Sequence, residues 1–130
     1  MRRKKVLLVD DSTTSLLMEQ MIFKNRTNFD LITARDGQEA VELALTERPD
    51  LIVMDVVMPR MSGIEALERI RLQEVTRHIP VILVTTRGEP ENVEMGYASG
   101  CSDYVTKPIN GAELISKIDN LIGAEEGVLQ

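Results

Sequence analysis

Short apolar runs alternate along this chain with longer segments in which apolar residues recur every three or four positions. Short continuous runs are typical of strands buried on both faces of a parallel sheet, and the longer pattern is typical of amphipathic helices. The predicted strands cover residues 5–10, 29–33, 51–55, 81–84 and 103–106. The predicted helices lie near 13–25, between Asp36 and Pro49, from Ser62 through Ile70, near 90–98, and from Asn110 through Ile122.

Polar residues mark the starts of most of these helices. Asp11 or Ser12 can cap the first helix, in which we expect Leu17, Met21 and Phe23 to lie on the apolar side. Three later helices begin with a cap residue that is followed three positions later by a glutamate, as in a capping box. These pairs are Asp36 with Glu39, Ser62 with Glu65, and Asn110 with Glu113. The segment near 90–98 is the least well marked helix, because its apolar pattern is thin and it contains a glycine.

The alternation of five strands with five helices predicts a three-layer α/β sandwich, with right-handed crossovers and helices on both faces of the sheet. A length of 130 residues with 43% hydrophobic residues suits a single folded domain. The net charge of −6 is unfavourable for nonspecific binding to nucleic acid. No segment approaches the roughly 20 apolar residues of a membrane span, so we expect a soluble, cytoplasmic protein.

Three carboxylates stand at the ends of two predicted strands. Asp10 and Asp11 close the first strand, and Asp55 closes the third. Parallel strands end at the same edge of a sheet, so these acids should meet there. Clustered carboxylates repel one another unless a cation lies among them, and carboxylate oxygens are ligands that magnesium prefers. The pattern therefore predicts a magnesium site at this edge.

Two further groups at strand ends make the site suitable for phosphoryl chemistry. Thr85 follows the fourth predicted strand, and Lys107 follows the fifth. A carboxylate can attack phosphorus as a nucleophile, while magnesium and an ammonium group neutralise charge on the transferring oxygens. A hydroxyl group can donate a hydrogen bond to the product phosphoryl group.

With these residues in place, the sequence resembles the response-regulator receiver domains of two-component signalling, the CheY-like family. The resemblance implies a flavodoxin-like sheet of order 2-1-3-4-5, a receiver domain over residues 1–123, and a tail or linker start over 124–130. It covers roughly residues 4–122 and is carried by Val9-Asp10-Asp11-Ser12, Asp55-Val56-Val57-Met58-Pro59 with Gly63, Val84-Thr85-Thr86, and Tyr104-Val105-Thr106-Lys107-Pro108.

The resemblance implies a role for each matching position. Asp55 would accept a phosphoryl group from a phosphohistidine of a sensor kinase or phosphotransfer protein. Asp11 and Asp55 would bind Mg²⁺ directly, Asp10 mainly through water, and Val57 through its backbone carbonyl. Lys107 would pair with Asp55 before phosphorylation and with the phosphoryl oxygens afterwards, following a cis bond to Pro108.

The resemblance also implies a switch and an output. Thr85 would move toward the phosphoryl group, Tyr104 would follow it inward, and the fourth helix, fifth strand and fifth helix would form the output surface. Val57 and Arg87 stand where side chains modulate loss of the phosphoryl group, and an apolar Val57 cannot orient a hydrolytic water. An unknown output partner or downstream domain would bind this surface. The protein itself would be a monomer or a phosphorylation-dependent dimer.

Other interpretations of these residues stay open on sequence alone. A strand-end aspartate can serve only as a helix cap, Lys107 can be a solvated surface lysine, and Tyr104 can be merely half-buried. Haloacid-dehalogenase phosphatases also use a strand-end aspartate, although their first strand should end Asp-x-Asp, and a binding-only pseudo-receiver is a second alternative. A P-loop enzyme is excluded because its motif does not occur. Cys101 is predicted to be a small buried or half-buried residue, and His78 a surface residue far from the site.

Overall fold

The computed structural model describes residues 3–86 and 90–123 and forms one five-stranded parallel sheet with helices on both faces. The sheet order is β2-β1-β3-β4-β5, which is the flavodoxin-like order. Its strands are β1 Lys5–Val9, β2 Asp30–Ala34, β3 Leu51–Asp55, β4 Val81–Thr86 and β5 Asp103–Lys107. The helices are α1 Thr13–Arg26, α2 Gly37–Glu47, α3 Gly63–Leu72, α4 Pro90–Ala98 and α5 Gly111–Ile122.

The predicted element types and the predicted helix caps are confirmed. Ser12, and not Asp11, caps α1 by accepting a hydrogen bond from the Ser15 amide. The side chains of Asp36, Ser62 and Asn110 cap the three helices for which caps were predicted. The bounds of β3 are as predicted, β1 ends one residue earlier at Val9, and the other three strands end one or two residues later because their pairing continues past the apolar run. The clearest case is β4, which extends through Thr86 by pairing with Lys107.

Two apolar cores lie on opposite faces of the sheet. On one face, α2 and α3 pack on side chains such as Leu7, Ile52 and Met54. On the other face, α1 and α5 pack on Val6, Leu8 and neighbouring strand residues, and the two helices contact each other. Because strand side chains alternate between faces, the continuous apolar runs supply both cores at once.

Gly96 explains why a helix with a thin apolar pattern still forms over the predicted 90–98 segment. A Cβ atom at this position would lie 2.7 Å from a Leu83 methyl carbon and 3.3 Å from Cys101 Sγ. The glycine therefore lets α4 approach β4 closely, which offsets its low helix propensity. Cys101 is buried beside it, as predicted.

The prediction for the buried face of α1 is wrong at two positions. Leu17 is 58% exposed and Met21 is 61% exposed, whereas Leu16, Glu19 and Phe23 are the buried residues of this helix. Phe23 was predicted correctly. The apolar residues of α1 cover more than one side of the helix, so their spacing did not identify the side that meets the sheet. The structure instead buries an acid, Glu19, against the sheet.

Some sequence-based expectations concern residues outside those that the structure describes. These are the modulating role of Arg87 and the tail or linker start at residues 124–130. Across 3–86 and 90–123, none of the helices has the length and apolar character needed to cross a membrane.

Candidate functional site

The sheet brings the three strand-end acids together, as the sequence predicted. β1 and β3 are neighbours in parallel register, with Val9 paired to Met54, so Asp10 and Asp55 emerge side by side. Asp10, Asp11 and Asp55 each offer a carboxylate oxygen, and these three oxygens lie within 4.8 Å of one another. Asp10 and Asp55 are buried, whereas Asp11 is exposed at the mouth of the site. The cluster therefore opens to solvent through Asp11.

Lys107 joins this cluster from the end of β5. Its Nζ atom donates to Asp55 Oδ2 at 2.9 Å and to Asp10 Oδ2 at 3.2 Å. It is a bridging ammonium with two carboxylate partners rather than a solvated surface lysine. The bond from Lys107 to Pro108 is cis, as predicted.

Backbone amides hold the other oxygens of the two buried acids. Asp10 Oδ1 accepts from the Ser12 amide at 2.9 Å, and Asp55 Oδ1 accepts from the Val57 amide at 3.2 Å. These amides lie in the loops that follow the strands, where no ladder or helix uses them. Since Ser12 caps α1, the exposed carboxylate of Asp11 is left for the cluster.

Gly63 fixes the backbone of Asp55, and the sequence offered no physical reason for a glycine there. Its amide donates to the Val56 carbonyl at 2.8 Å. A Cβ atom at position 63 would lie 2.2 Å from the backbone carbonyl oxygen of Asp55. No rotamer change can relieve contact with backbone, so the first residue of α3 must lack a side chain.

Burial and charge set the protonation of the central pair. Burial raises the pKa of Asp55, and the hydrogen bond and charge of Lys107 offset this only in part, while Asp10 raises it further. For Lys107, burial lowers the pKa, but hydrogen bonds and charges from Asp55 and Asp10 outweigh it and raise the pKa overall. The ammonium form of Lys107 is therefore favoured, and an added positive charge nearby would favour the ionised form of Asp55.

The other predicted site residues, Thr85, Val57 and Tyr104, differ in their burial. Thr85 is buried near the end of β4, opposite Thr106 in the register. The Val57 side chain is 59% exposed, and the backbone amide of this residue donates to Asp55. Tyr104 is half-buried, with its ring edge-on to Tyr97 at a centroid distance of 6.0 Å. His78 is exposed at the opposite end of the sheet, before β4, as predicted.

Sequence reasoning missed one buried acid near the cluster. Glu19 is 2% exposed, and its Oε1 atom has no hydrogen-bond partner among the described residues. Burial raises the pKa of Glu19 to about 8; Asp10 also raises it, and Lys107 partly lowers it. The signal available in the sequence was the spacing of Leu16, Glu19 and Phe23, which places the acid on one face with two apolar residues.

The donor set of the cluster fits magnesium. Carboxylate oxygens are hard ligands, and three of them converge at one solvent-accessible point. Val57 lies two residues after Asp55, in the loop that follows β3, and its backbone can contribute a carbonyl oxygen. Met54 and Met58 are buried in the apolar core, and a thioether sulfur is a soft ligand that magnesium does not favour.

Comparison with known proteins agrees with this geometry. Residues 6–119 match the sequence model described as the response regulator receiver domain. The chain is 36% identical over 123 residues to the Bacillus subtilis alkaline phosphatase synthesis transcriptional regulatory protein PhoP, covering 95% of this chain and 50% of that protein. It is 34% identical to the Brucella anthropi polar-differentiation response regulator DivK, covering 92% of this chain and 97% of that protein.

A solved structure shows the same architecture. It is the receiver domain of a Pseudomonas aeruginosa PAO1 sensor histidine kinase, with a magnesium ion coordinated in its active-site cleft. The TM-score is 0.86 with 30% sequence identity, covering 94% of this chain and 99% of that one. The chain thus spans half the length of PhoP but nearly all of DivK and of this receiver domain. With its acid cluster, its sheet order and these matches, the chain belongs to the response-regulator receiver domain family of two-component signalling.

Proposed function

We propose that Asp55 accepts a phosphoryl group in a magnesium-dependent reaction and that this converts the output surface of the domain between two states. The phosphodonor is a phosphohistidine of a sensor histidine kinase or of a phosphotransfer protein. The observation that carries the proposal is the contact of Lys107 with Asp10 and Asp55 beside a third carboxylate. This arrangement supplies a nucleophile, a cation site and a fixed ammonium at one point.

Asp55, Lys107 and Thr85 each have a defined role in the transfer. An oxygen of the Asp55 carboxylate forms the new bond to phosphorus, while the bond between phosphorus and the histidine nitrogen breaks and its electron pair returns to the imidazole. Lys107 leaves the Asp55 carboxylate to pair with the phosphoryl oxygens, which adds fixed positive charge where charge accumulates. The Thr85 hydroxyl group donates a hydrogen bond to one of those oxygens.

Magnesium would be held by the acid cluster. Asp11 and Asp55 would bind it directly, Asp10 mainly through water, and the Val57 backbone carbonyl would add an oxygen. When bound, the ion neutralises charge on the acids and on the transferring phosphoryl group. The protein is a switch that modifies itself and not an enzyme with a separate turnover substrate.

Val57 is proposed to prolong the phosphorylated state. Its exposed apolar side chain stands beside Asp55 and cannot hydrogen-bond to a water that attacks the acyl phosphate. Arg87 is assigned to the same modulating group, toward either the phosphoryl group or a partner. We expect Val57→Asn to lose its phosphoryl group faster than the wild type, measured by intact mass over time after the donor is removed. A variant that dephosphorylates no faster would show that Val57 does not slow the hydrolysis.

Contacts around Tyr104 support an output surface made of α4, β5 and α5. Its ring meets Tyr97 of α4 edge-on, and Lys117 of α5 lies 5.0 Å from the ring centroid. Lys117 Nζ also donates to the Tyr104 carbonyl at 2.7 Å and to Asp103 at 3.1 Å. If Tyr104 moved inward after Thr85, its ring would lose its contacts with Tyr97 of α4 and Lys117 of α5. The phosphorylated site is thereby coupled to all three elements.

The remaining assignments complete the proposed function. The receiver unit spans residues 1–123, and 124–130 form a tail or the start of a linker. The domain works in the cytoplasm, as a monomer or phosphorylation-dependent dimer. It passes its signal to an output partner or a downstream domain and does not itself bind nucleic acid.

Intact mass after incubation with magnesium and acetyl phosphate tests the phosphoacceptor. We expect a gain of one phosphoryl mass in the wild type, none in Asp55→Asn, and none with a chelator present. Asp30→Asn is the matched control, because Asp30 begins β2 at the opposite edge of the sheet and should not affect the gain. A folded wild type that gains no mass would support a binding-only pseudo-receiver, and a gain in Asp55→Asn would move the phosphoacceptor elsewhere.

A further inference from the structure

Arg35 reaches from the loop after β2 to the main chain of Asp11. Its Nη2 atom donates to the Asp11 carbonyl oxygen at 2.9 Å, although the two residues lie 24 positions apart in the chain. The Asp11 side chain belongs to the acid cluster, and the phosphoryl transfer proposed above assigns no role to Arg35. The contact therefore links the loop between β1 and α1 to the loop between β2 and α2.

Asp11 needs such a link more than the other two acids of the cluster do. Asp10 and Asp55 are buried, and each accepts hydrogen bonds from a backbone amide and from Lys107. Asp11 is exposed, so packing does not fix its side chain. Because the Cα–Cβ bond has a fixed direction relative to the backbone, the position of the main chain decides where the Asp11 carboxylate can lie.

The backbone of Arg35 is itself firmly held. Its amide donates to Glu39 Oε1 at 2.7 Å, and the Glu39 amide donates to Asp36 Oδ1 at 2.8 Å. These bonds form a capping arrangement at the start of α2. Immediately before Arg35, the Ala34 carbonyl accepts from the Asp10 amide at 3.1 Å. The Arg35 side chain therefore extends from a fixed point next to β1.

The start of α2 also holds the loop that follows β3. Arg60 Nη2 donates to Asp36 Oδ2 at 3.2 Å. A Cβ atom at Gly37 would lie 2.9 Å from the Met61 carbonyl oxygen, so the two backbones approach closely there. The same loop carries Val57, whose carbonyl is another predicted magnesium ligand. The start of α2 therefore lies between the two loops that would supply these ligands.

The charge of Arg35 and its hydrogen bond should affect magnesium binding in opposite directions. A guanidinium group near the acid cluster repels a divalent cation, so on charge alone its removal should strengthen magnesium binding. A group that hydrogen-bonds to a ligand residue raises metal affinity by orienting that ligand. The sign of the change on removing Arg35 therefore separates the two effects.

We propose that Arg35 is a positioning residue that holds Asp11 in the orientation in which its carboxylate binds Mg²⁺, through the hydrogen bond from its guanidinium group to the Asp11 carbonyl. This inference rests on the proposed function, because Asp11 binds Mg²⁺ there directly. Arg35 touches neither the ion nor the phosphoryl group. It acts through the main chain of Asp11, and this effect outweighs the repulsion from its own charge.

Nuclear magnetic resonance titration with magnesium chloride at constant ionic strength tests the inference. The amide signals of Asp11, Asp55 and Val57 report binding in the wild type and in Arg35→Ala. We expect the Mg²⁺ dissociation constant to be at least about threefold higher in Arg35→Ala, which is the effect of a hydrogen bond at the low end of the usual range. Alanine keeps the backbone amide that takes part in the cap of α2.

Two further variants separate the hydrogen bond from the charge. Arg35→Lys keeps the charge and a donor, and we expect it to bind Mg²⁺ more tightly than Arg35→Ala does. Arg69→Ala is the matched control, because Arg69 is exposed in the last turn of α3 and its loss changes the net charge equally. We expect Arg69→Ala to bind Mg²⁺ as the wild type does.

Amide hydrogen exchange gives a measurement that needs no metal. The Ser12 amide follows Asp11 in the chain and donates to Asp10 Oδ1 at 2.9 Å. With a chelator present, we expect this amide to exchange faster in Arg35→Ala than in the wild type, because the loop is no longer held. Arg69→Ala should exchange at the wild-type rate.

The outcomes distinguish the positioning role from the proposed function. If the wild type binds Mg²⁺ and Arg35→Ala binds it equally or more tightly, the positioning role is overturned and the proposed function stands. Weaker binding in Arg35→Lys than in Arg35→Ala would also overturn it, since that order reflects charge alone. Unchanged exchange of the Ser12 amide would show that the contact does not hold the loop. A wild type that binds no Mg²⁺ and gains no phosphoryl mass would overturn both.

Discussion

Asp55 and Glu19 are two buried carboxylic acids in the same domain, and they differ in their hydrogen-bond partners. Asp55 is 7% exposed and Glu19 is 2% exposed, and burial raises the pKa of both. Asp55 accepts hydrogen bonds from Lys107 and from the Val57 amide, whereas Oε1 of Glu19 accepts none from the residues that the structure describes. Burial alone therefore does not determine what an acid does in this fold.

The difference comes from where each acid lies along its element. Asp55 ends a strand, and the loop that follows has backbone amides free to donate to its carboxylate. Glu19 lies in the middle of α1, where backbone N–H groups are bonded to carbonyl groups one turn earlier. A strand end in a parallel sheet can thus stabilise an ionised acid with local donors, and a helix interior cannot. The acid on the helix depends on a proton.

Among these variants, Gly63→Ala should destabilise the region around Asp55 most strongly. The new Cβ atom would lie 2.2 Å from the Asp55 carbonyl oxygen, so the backbone of β3 or of α3 must move. We expect a loss of about 3 kcal/mol or more in the free energy of unfolding, measured with urea. Gly111→Ala is the control, because its nearest neighbour is the end of the Arg26 side chain, which can move aside. Equal losses in both variants would contradict the special role of position 63.

Lys107→Met should make Asp55 resemble Glu19 by removing its side-chain partner. Two buried carboxylates would then face each other without an ammonium, and the pKa of Asp55 should rise further. We expect a loss of about 2 kcal/mol in the free energy of unfolding at pH 7 with a chelator present. The control is Lys117→Met, which removes a lysine that also has two acceptors but whose carboxylate partner, Asp103, is more exposed than Asp10 and Asp55. A stability equal to that of the wild type would show that Lys107 does not offset the repulsion.

Glu19 should make the stability depend on pH in a defined direction. Folding raises its pKa from 4.5 to about 8, so between these values the folded protein holds a proton that the unfolded chain has released. The free energy of unfolding should therefore fall as pH rises from 4.5 to about 8, by at most about 1.4 kcal/mol per unit from this group. Urea unfolding of wild type and Glu19→Gln with a chelator measures the difference. Parallel pH profiles for the two proteins would exclude this contribution.

Glu19→Leu should have the smallest effect, and its sign is opposite to those of the other substitutions. It replaces an unpaired buried acid with an apolar side chain on a face that already contains Leu16 and Phe23. We expect a gain of about 1 kcal/mol in the free energy of unfolding at pH 7. Glu68→Leu at an exposed position should change it by less than about 0.5 kcal/mol. A loss of stability in Glu19→Leu would show that the carboxyl group has a favourable partner.

The strands and the acid cluster could be predicted from the sequence because the patterns that indicate them are local. A continuous apolar run that ends in an acid predicts both a buried strand and the edge at which the acid appears, as it does for β1 and β3. The caps of α2, α3 and α5 are equally local, since a side chain and an amide three residues later complete them. The role of Lys107 needed the resemblance to receiver domains, because a lone lysine is most often solvated.

The order of the elements, the caps of α2, α3 and α5, and the sheet edge where Asp10, Asp11 and Asp55 meet could all be predicted from the sequence. The buried side of α1 could not, because it depends on how the helix packs on the sheet and not on the spacing of its own residues. Packing also decided that position 63 must lack a side chain and that Glu19 adjoins a cavity next to Lys107. These features depend on atoms far apart in the chain, and such distances appear only when the fold is complete.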